Sequence, residues 1–155
     1  MYKLLILFVC TGISAAAQET LLLRSPSVSN NKIAFAYGGD VWTADRDGSH
    51  AQRLTVNQAV EFNPMLSPDG KWIAFTGRQY GNADVFVMPV NGGEIKQITY
   101  HNSNDDVSSW SWDAKSIYFN SNRMGQIAGF KVNANGGTPQ RIFGNYFFQF
   151  DHNLT

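Results

Sequence analysis

The sequence predicts an all-β chain, a partial β-propeller of four-stranded antiparallel blades, with three blades and the start of a fourth. Three observations carry this: a pattern that returns every 44 positions, strand-like alternation inside each copy, and no stretch with the i, i+3, i+4 spacing of an amphipathic helix. The turn Asn91-Gly92-Gly93 returns as Asn135-Gly136-Gly137 and is anticipated by Asp47-Gly48-Ser49. Ile73-Ala74-Phe75 corresponds to Ile117-Tyr118-Phe119 at the same interval, and to Ile33-Ala34-Phe35 forty positions earlier. The shorter interval is a loop, because Thr76 to Ala83 separates Phe75 from Asp84, whereas only Ala36-Tyr37-Gly38-Gly39 separates Phe35 from Asp40.

In chain order, Met1-Tyr2-Lys3 supplies a short positive start, Leu4 to Ile13 an apolar run, and Ser14-Ala15-Ala16-Ala17 small residues ahead of Gln18. Residues 1–17 therefore read as a signal peptide. The apolar run is about half the roughly 20 residues a membrane-spanning helix needs, so no stable membrane anchor is expected. Cys10 follows Val9, where a lipoprotein signal would place a small residue, and it is the chain's one cysteine. Beyond it, disulfides, thiolate nucleophiles and sulfur-ligated metals are excluded.

Residues 18–155 read as one incomplete propeller domain. Its first blade spans about 25–55, the second 62–99 and the third 107–143, and a fourth begins at about Tyr146. The second blade is the clearest copy. Phe62 to Leu66 and Trp72 to Thr76 are strands joined by Ser67-Pro68-Asp69-Gly70, where proline presets φ and Gly70 can take a positive φ. Asp84 to Met88 is the third strand, and Asn91-Gly92-Gly93 leads into a fourth, Glu94 to Thr99. In the third blade Trp112 and Ala114 replace Pro68 and Gly70, and Ala128-Gly129-Phe130 replaces Asp84-Val85-Phe86, so irregularity is expected there. A two-sheet sandwich is the alternative, but three turns in register at a constant interval favour stacked blades.

Composition narrows the partners. With 12 basic and 12 acidic residues the formal net charge is zero, so no basic field for nucleic acid or an anionic membrane arises. Hydrophobic residues at 43% and aromatics at 14% supply a packed core. No cofactor signature is present.

The stretch Ser67-Pro68-Asp69-Gly70-Lys71-Trp72-Ile73-Ala74-Phe75, with Asp84-Val85-Phe86-Val87-Met88 and Gly92-Gly93-Glu94-Ile95-Lys96-Gln97-Ile98-Thr99, resembles the propeller repeat shared by TolB and the tricorn proteases. Gly38-Gly39-Asp40-Val41-Trp42, and Thr99-Tyr100-His101 running through Asp105 and Val107 to Trp110-Ser111, look like the tricorn type. TolB-like proteins carry an α/β domain ahead of the propeller, and here the first blade follows the proposed cleavage site too closely for one. The resemblance implies the amino-terminal propeller of a large secreted or periplasmic serine peptidase. Its propellers admit or hold peptides while a carboxy-terminal core, outside these residues, cleaves them. The expected partners are thus the remaining blades and catalytic core of the same longer chain, peptides or proteins, and further copies when full length. The alternatives are a non-enzymatic TolB-like envelope propeller that binds proteins, and the propeller of another secreted hydrolase.

No catalytic residue is assigned. His50 follows a turn, His101 lies between blades and His152 in the tail, and no serine has a strand-to-helix setting. Asp69 and Asp113 recur as turn residues, since an Asp side chain bonds backbone NH groups two positions on. Asn102-Ser103-Asn104-Asp105-Asp106 concentrates hard oxygen ligands without EF-hand spacing and reads as an inter-blade loop, with calcium the competing occupant. Trp42 and Trp72 are placed where blades pack. Trp110 and Trp112, flanking the inner strand and its turn, are candidates to line the central channel. Arg78, Tyr80, Asn122 and Arg123, in loops between second and third strands, are candidate exposed contacts with a partner domain.

Three and a fraction blades would leave strand edges and an apolar face in water. Residues 18–155 expressed alone should therefore self-associate; sedimentation as a well-behaved cooperative monomer would overturn that expectation.

Overall fold

In the computed structural model, which describes residues 22–29 and 31–142, every regular element is a strand. The expected leader at 1–17 and the fourth blade from Tyr146 lie outside the described residues. The first sheet is β1 (Arg24–Val28), β2 (Lys32–Tyr37), β3 (Asp40–Asp45) and β4 (Gln52–Arg53). A second follows as β5 (Glu61–Leu66), β6 (Trp72–Gly77), β7 (Asp84–Pro89) and β8 (Lys96–Gln97). The third is β9 (Asp105–Trp110), β10 (Ser116–Ser121), β11 (Ala128–Asn133) and β12 (Gln140–Arg141). Each sheet is an antiparallel meander in chain order. The all-β, bladed architecture predicted from the repeat is the one observed.

β1 packs on β5 and β5 on β9, so these first strands are the innermost, while the two-residue β4, β8 and β12 lie outermost. Period-2 alternation divides the middle blade between two cores. Ile73, Phe75, Phe86 and Met88 meet Ala34 and Val41 of the first blade. Ala74, Val85 and Val87 point the other way, into a cluster with Ile117, Phe119, Phe130 and Val132 of the third. Large side chains of one blade thus meet small ones of the blade before it, which lets neighbouring sheets approach closely.

A cross-strand aromatic pair recurs at one place in every blade. Phe35 lies opposite Trp42, Phe75 opposite Phe86 and Phe119 opposite Phe130. Their rings stack at 6.5, 5.7 and 5.6 Å. Such pairs add roughly 0.5–1.5 kcal/mol to the roughly 1.5–3 kcal/mol gained by burying each ring.

The turn of the third blade's first hairpin matches that of the second, contrary to the expectation from Trp112 and Ala114. Ala114 adopts φ 56°, as Gly70 adopts 68°, and each donates its NH to the serine three residues back at 2.9 Å. Side chains hold the turn in both blades. Asp69 and Asp113 accept from Ser67 and Ser111 hydroxyls at 2.6 Å and from the NH groups of Lys71 and Lys115 at 3.2 and 3.1 Å. The aspartates are the turn residues the sequence indicates, and that network carries the left-handed alanine. β10 and β11 pair without a register break.

All three inner strands carry a β-bulge. In the first two blades the bulged residues are Ser25 and Asn63, at φ 49° and 50°, and Ser25 Oγ donates to Asn63 Oδ1 at 2.9 Å across the blade boundary. Further bonds stitch the inner strands to neighbouring blades: Leu66 NH to Ser27 Oγ at 2.9 Å, Val107 NH to Thr76 Oγ1 at 2.9 Å, and Trp110 Nε1 to Met65 O at 2.8 Å.

Phe119, fully buried between its stacked partner and the second blade, tests the packing. Phe119→Ala should cost about 3–5 kcal/mol by urea denaturation, through lost burial and the cavity left behind.

Candidate functional site

Burying polar groups between apolar sheets is costly unless they are paired, so the carboxylates at the blade boundaries mark where this fold departs from simple packing. Asp40 and Asp84 begin β3 and β7, and Glu61 and Asp105 begin the next inner strands, all at most 6% exposed. Thr55 and Thr99 fasten them to the outer chain. Their hydroxyls accept from Val41 NH at 2.9 Å and Val85 NH at 3.0 Å, and Thr99 donates to Asp84 Oδ1 at 3.2 Å. The third blade lacks this latch because Ala128 stands where Asp84 stands in the second.

At the second boundary Arg123 Nη2 meets Asp105 Oδ2 at 2.6 Å, with the Asp105 side chain buried and that of Arg123 partly so. The guanidinium also lies 5.3 and 4.8 Å from the ring centroids of Phe119 and Phe130, a cation–π setting. At the first boundary Arg53 Nη2 meets Asp40 Oδ2 at 2.8 Å, while Glu61 Oε1 accepts from Gln79 Nε2 at 2.9 Å and Asn57 Nδ2 at 2.8 Å. Burial pushes Glu61 and Asp84 above their ordinary values, with hydrogen bonds from Thr55 and Thr99 respectively opposing the rise. The sequence reading gives Asp40, Glu61 and Asp84 no site role and places Asp105 only in the inter-blade loop. The signal lay in the repeat, since Asp40/Asp84, Thr55/Thr99, Glu61/Asp105 and Gln79/Arg123 are each 44 residues apart.

The sequence-predicted residues fall in different settings. Arg78 is exposed, with its guanidinium 5.6 Å from the Phe62 centroid, close enough to oppose the burial that raises the Asp106 carboxyl. Tyr80 is 71% exposed; its ring is 6.5 Å from Phe86. Asn122 is exposed and its Oδ1 accepts from Asn104 NH at 3.1 Å. Arg123 differs from the exposed loop residue expected, because its side chain turns inward to Asp105. Trp110 is buried between the second and third blades, where its ring joins the apolar cluster. Trp112 is 84% exposed in the turn.

Two clefts flank the second boundary. One of about 790 Å³ at the Trp110 end is lined by Trp72, Val87, Pro89, Trp110 and Lys96. Another of about 290 Å³, near the outer connection, is lined by Tyr80, Asn82, Asp84, Tyr100 and His101. In the loop 102–106, Asn104 Oδ1 accepts from Ala83 NH at 3.0 Å, and Asn82 Nδ2 donates to His101 O and Ser103 O at 2.9 and 3.1 Å. The loop's polar groups thereby tie two blades together. Among the described residues no group of three or more His, Cys, Asp or Glu is placed to hold a metal ion.

Ser49, His50 and Asp45 do come together, on an exposed turn. Ser49 Oγ lies 3.1 Å and Asp45 Oδ2 2.7 Å from the same atom, His50 Nδ1. A hydrolytic relay needs the serine on one ring nitrogen and the carboxylate on the other, so this arrangement cannot pass a proton from serine to histidine while aspartate orients the ring.

The family described as the tricorn protease N-terminal beta propeller domain matches residues 20–151. Tricorn protease homolog 1 of Streptomyces coelicolor is 35% identical over 94 residues, 60% of this chain and 9% of that protein. A putative tricorn-like protease N-terminal subunit of Sulfurisphaera tokodaii is 32% identical over 125 residues, 76% of this chain and 63% of the relative. The chain thus spans under two thirds of either. The crystal structure of the tricorn protease superposes with a TM-score of 0.65 at 24% identity, over 75% of this chain and 13% of that one, a likeness of fold.

Two substitutions test the buried charges. Arg123→Gln strands Asp105 without a cation and should cost about 3–5 kcal/mol in denaturant unfolding. Because the raised Glu61 carboxyl is favoured by the fold only when protonated, its contribution is present below 4.5 and lost as pH rises through the folded value. Glu61→Gln should therefore flatten the pH dependence of Tm above that point and raise Tm near neutrality.

Proposed function

This chain belongs to the family of tricorn protease N-terminal β-propeller domains, and from that premise we propose that it is a non-catalytic propeller segment of a secreted tricorn-like serine peptidase, admitting or holding peptide substrates for a catalytic core elsewhere in the same longer protein. The observation that carries this reading is the family match across nearly all of the described blades. The geometry of Ser49, His50 and Asp45 agrees with a segment that binds rather than cleaves.

Peptide contacts fall to Arg78 and Tyr80, exposed together in the loop between β6 and β7, while Trp112 is exposed at the opposite end of the blades in the β9–β10 turn. A cationic group beside an aromatic face suits an extended peptide, since stacking and charge-assisted hydrogen bonds need no fixed partner sequence. Trp110 and Arg123 act behind them, holding the inner strand and the loop in place. The leader at 1–17 directs the protein to the periplasm or outside the cell, where the full-length chain assembles with its remaining blades, its core and further copies.

Fluorescence anisotropy with a labelled unstructured peptide should detect binding to the intact chain. Arg78→Ala and Tyr80→Ala should each weaken it about fivefold, the equivalent of roughly 1 kcal/mol. Unchanged affinity in both variants removes these contacts, and hydrolysis of the peptide by this chain removes the non-catalytic reading. Mass spectrometry of the exported protein should place its first residue at Gln18.

A further inference from the structure

The two described seams use the same six positions, 44 residues apart: Asp40, Arg53, Thr55, Asn57, Glu61 and Gln79 correspond to Asp84, Gln97, Thr99, His101, Asp105 and Arg123. Each seam contains two carboxylates, one arginine and one glutamine, with the last two exchanged. In the second seam Arg123 occupies the inner position, and its guanidinium, on a side chain only 14% exposed, pairs with Asp105 Oδ2 and leaves Asp105 Oδ1 without a partner. In the first seam that position holds neutral Gln79, and the arginine stands outside at position 53. Arg53 is 45% exposed and reaches Asp40 Oδ2.

The exchange leaves a deficit of donors. Asp40 Oδ1, Glu61 Oε2 and Gln79 Oε1 are all buried without a hydrogen-bond partner, where the second seam leaves Asp105 Oδ1, and the two carboxylates of the first seam are only 6% and 1% exposed. Gln79 and Asn57 both direct their NH2 groups to the other Glu61 oxygen. Glu61 NH donates to Gly39 O at 2.8 Å, which holds the Glu61 backbone beside the start of the strand that carries Asp40. The charge of Asp40 adds to the rise of the Glu61 carboxyl. A buried oxygen without a donor costs about 1–3 kcal/mol, and more when charged, so three together at one seam call for an occupant.

We propose that the seam between the first and second blades binds a hard divalent cation of the calcium class through Asp40, Glu61 and Gln79. The cation takes the inner place that the Arg123 guanidinium takes in the second seam. Its ligands are all oxygens, which suits calcium and disfavours soft metals, and water completes a shell of about six to eight. Gln79 lies half-buried between the exposed Arg78 and Tyr80 in the loop between β6 and β7, which gives the ion a path from solvent. Two carboxylates and an amide fall short of an acidic cage, so affinity should sit in the roughly 0.1–1 mM range of weak extracellular sites. The proposal is independent of the peptide-holding role above.

Thermal unfolding of the intact protein at neutral pH tests it, in about 10 mM calcium chloride against sodium chloride of equal ionic strength, where binding should raise Tm by about 3–6 °C. Glu61→Gln should abolish the shift by removing a ligand charge. Gln79→Arg should abolish it while keeping the protein stable without calcium, because the guanidinium fills the site. Either variant decides the matter should the other fail to fold, and calorimetric titration of the wild type should give one calcium per chain. No calcium shift in the wild type would overturn the proposal. So would an equal shift in the variants, which puts the ion elsewhere, for example in the loop 102–106. A wild-type Tm that responds to pH but not to calcium assigns the place to a proton on Glu61 and equally overturns it.

Discussion

Each blade has two apolar faces and can cover neither alone, so the seam between blades is the contact on which the rest of this structure depends. A four-stranded meander of short strands is too thin to bury its own side chains. The seam solves this by alternation: Ile73, Phe75, Phe86 and Met88 reach back to the first blade while Ala74, Val85 and Val87 receive the third. Large residues fall on one face and small ones on the other, which also gives the stack a direction. A blade reversed in the row would set large faces together.

Polar groups enter the seam where the chain crosses from one blade to the next. The crossing brings an aspartate, a threonine and the acid of the following inner strand into one buried place, at Asp40, Thr55 and Glu61 and again at Asp84, Thr99 and Asp105. The threonines cap backbone NH groups that the short outer strands leave open. These acids carry a cost in desolvation, and each seam offsets it with one arginine placed differently. The stability of the stack and the pH response of Glu61 and Asp84 are therefore set at the same residues.

The middle of each blade was legible because the signals there are local. Strand alternation, the Asp-Gly and Asn-Gly-Gly turns, and the 44-residue interval need no knowledge of a partner. Asp69 and Asp113 could be read as turn residues because their hydrogen bonds close within the hairpin. Ala114 misled, since its left-handed conformation is carried by Ser111 and Asp113 rather than by its own propensity. Arg123 misled for the opposite reason. Its loop is exposed, but its side chain is drawn inward by Asp105, eighteen residues earlier in another element.

By itself the sequence determined the blade, its internal order of strands, the absence of cysteine chemistry beyond Cys10 and the tricorn-like family. Those features follow from periodicity and composition, which are written along one dimension. Tertiary structure alone decided that Trp110 braces Met65 between blades, that the inner strands bulge, and that Glu61 and Asp105 share one structural place with different counter-charges. Such properties belong to pairs of blades, and burial and pairing across a seam have no expression in either blade's sequence until the two are stacked.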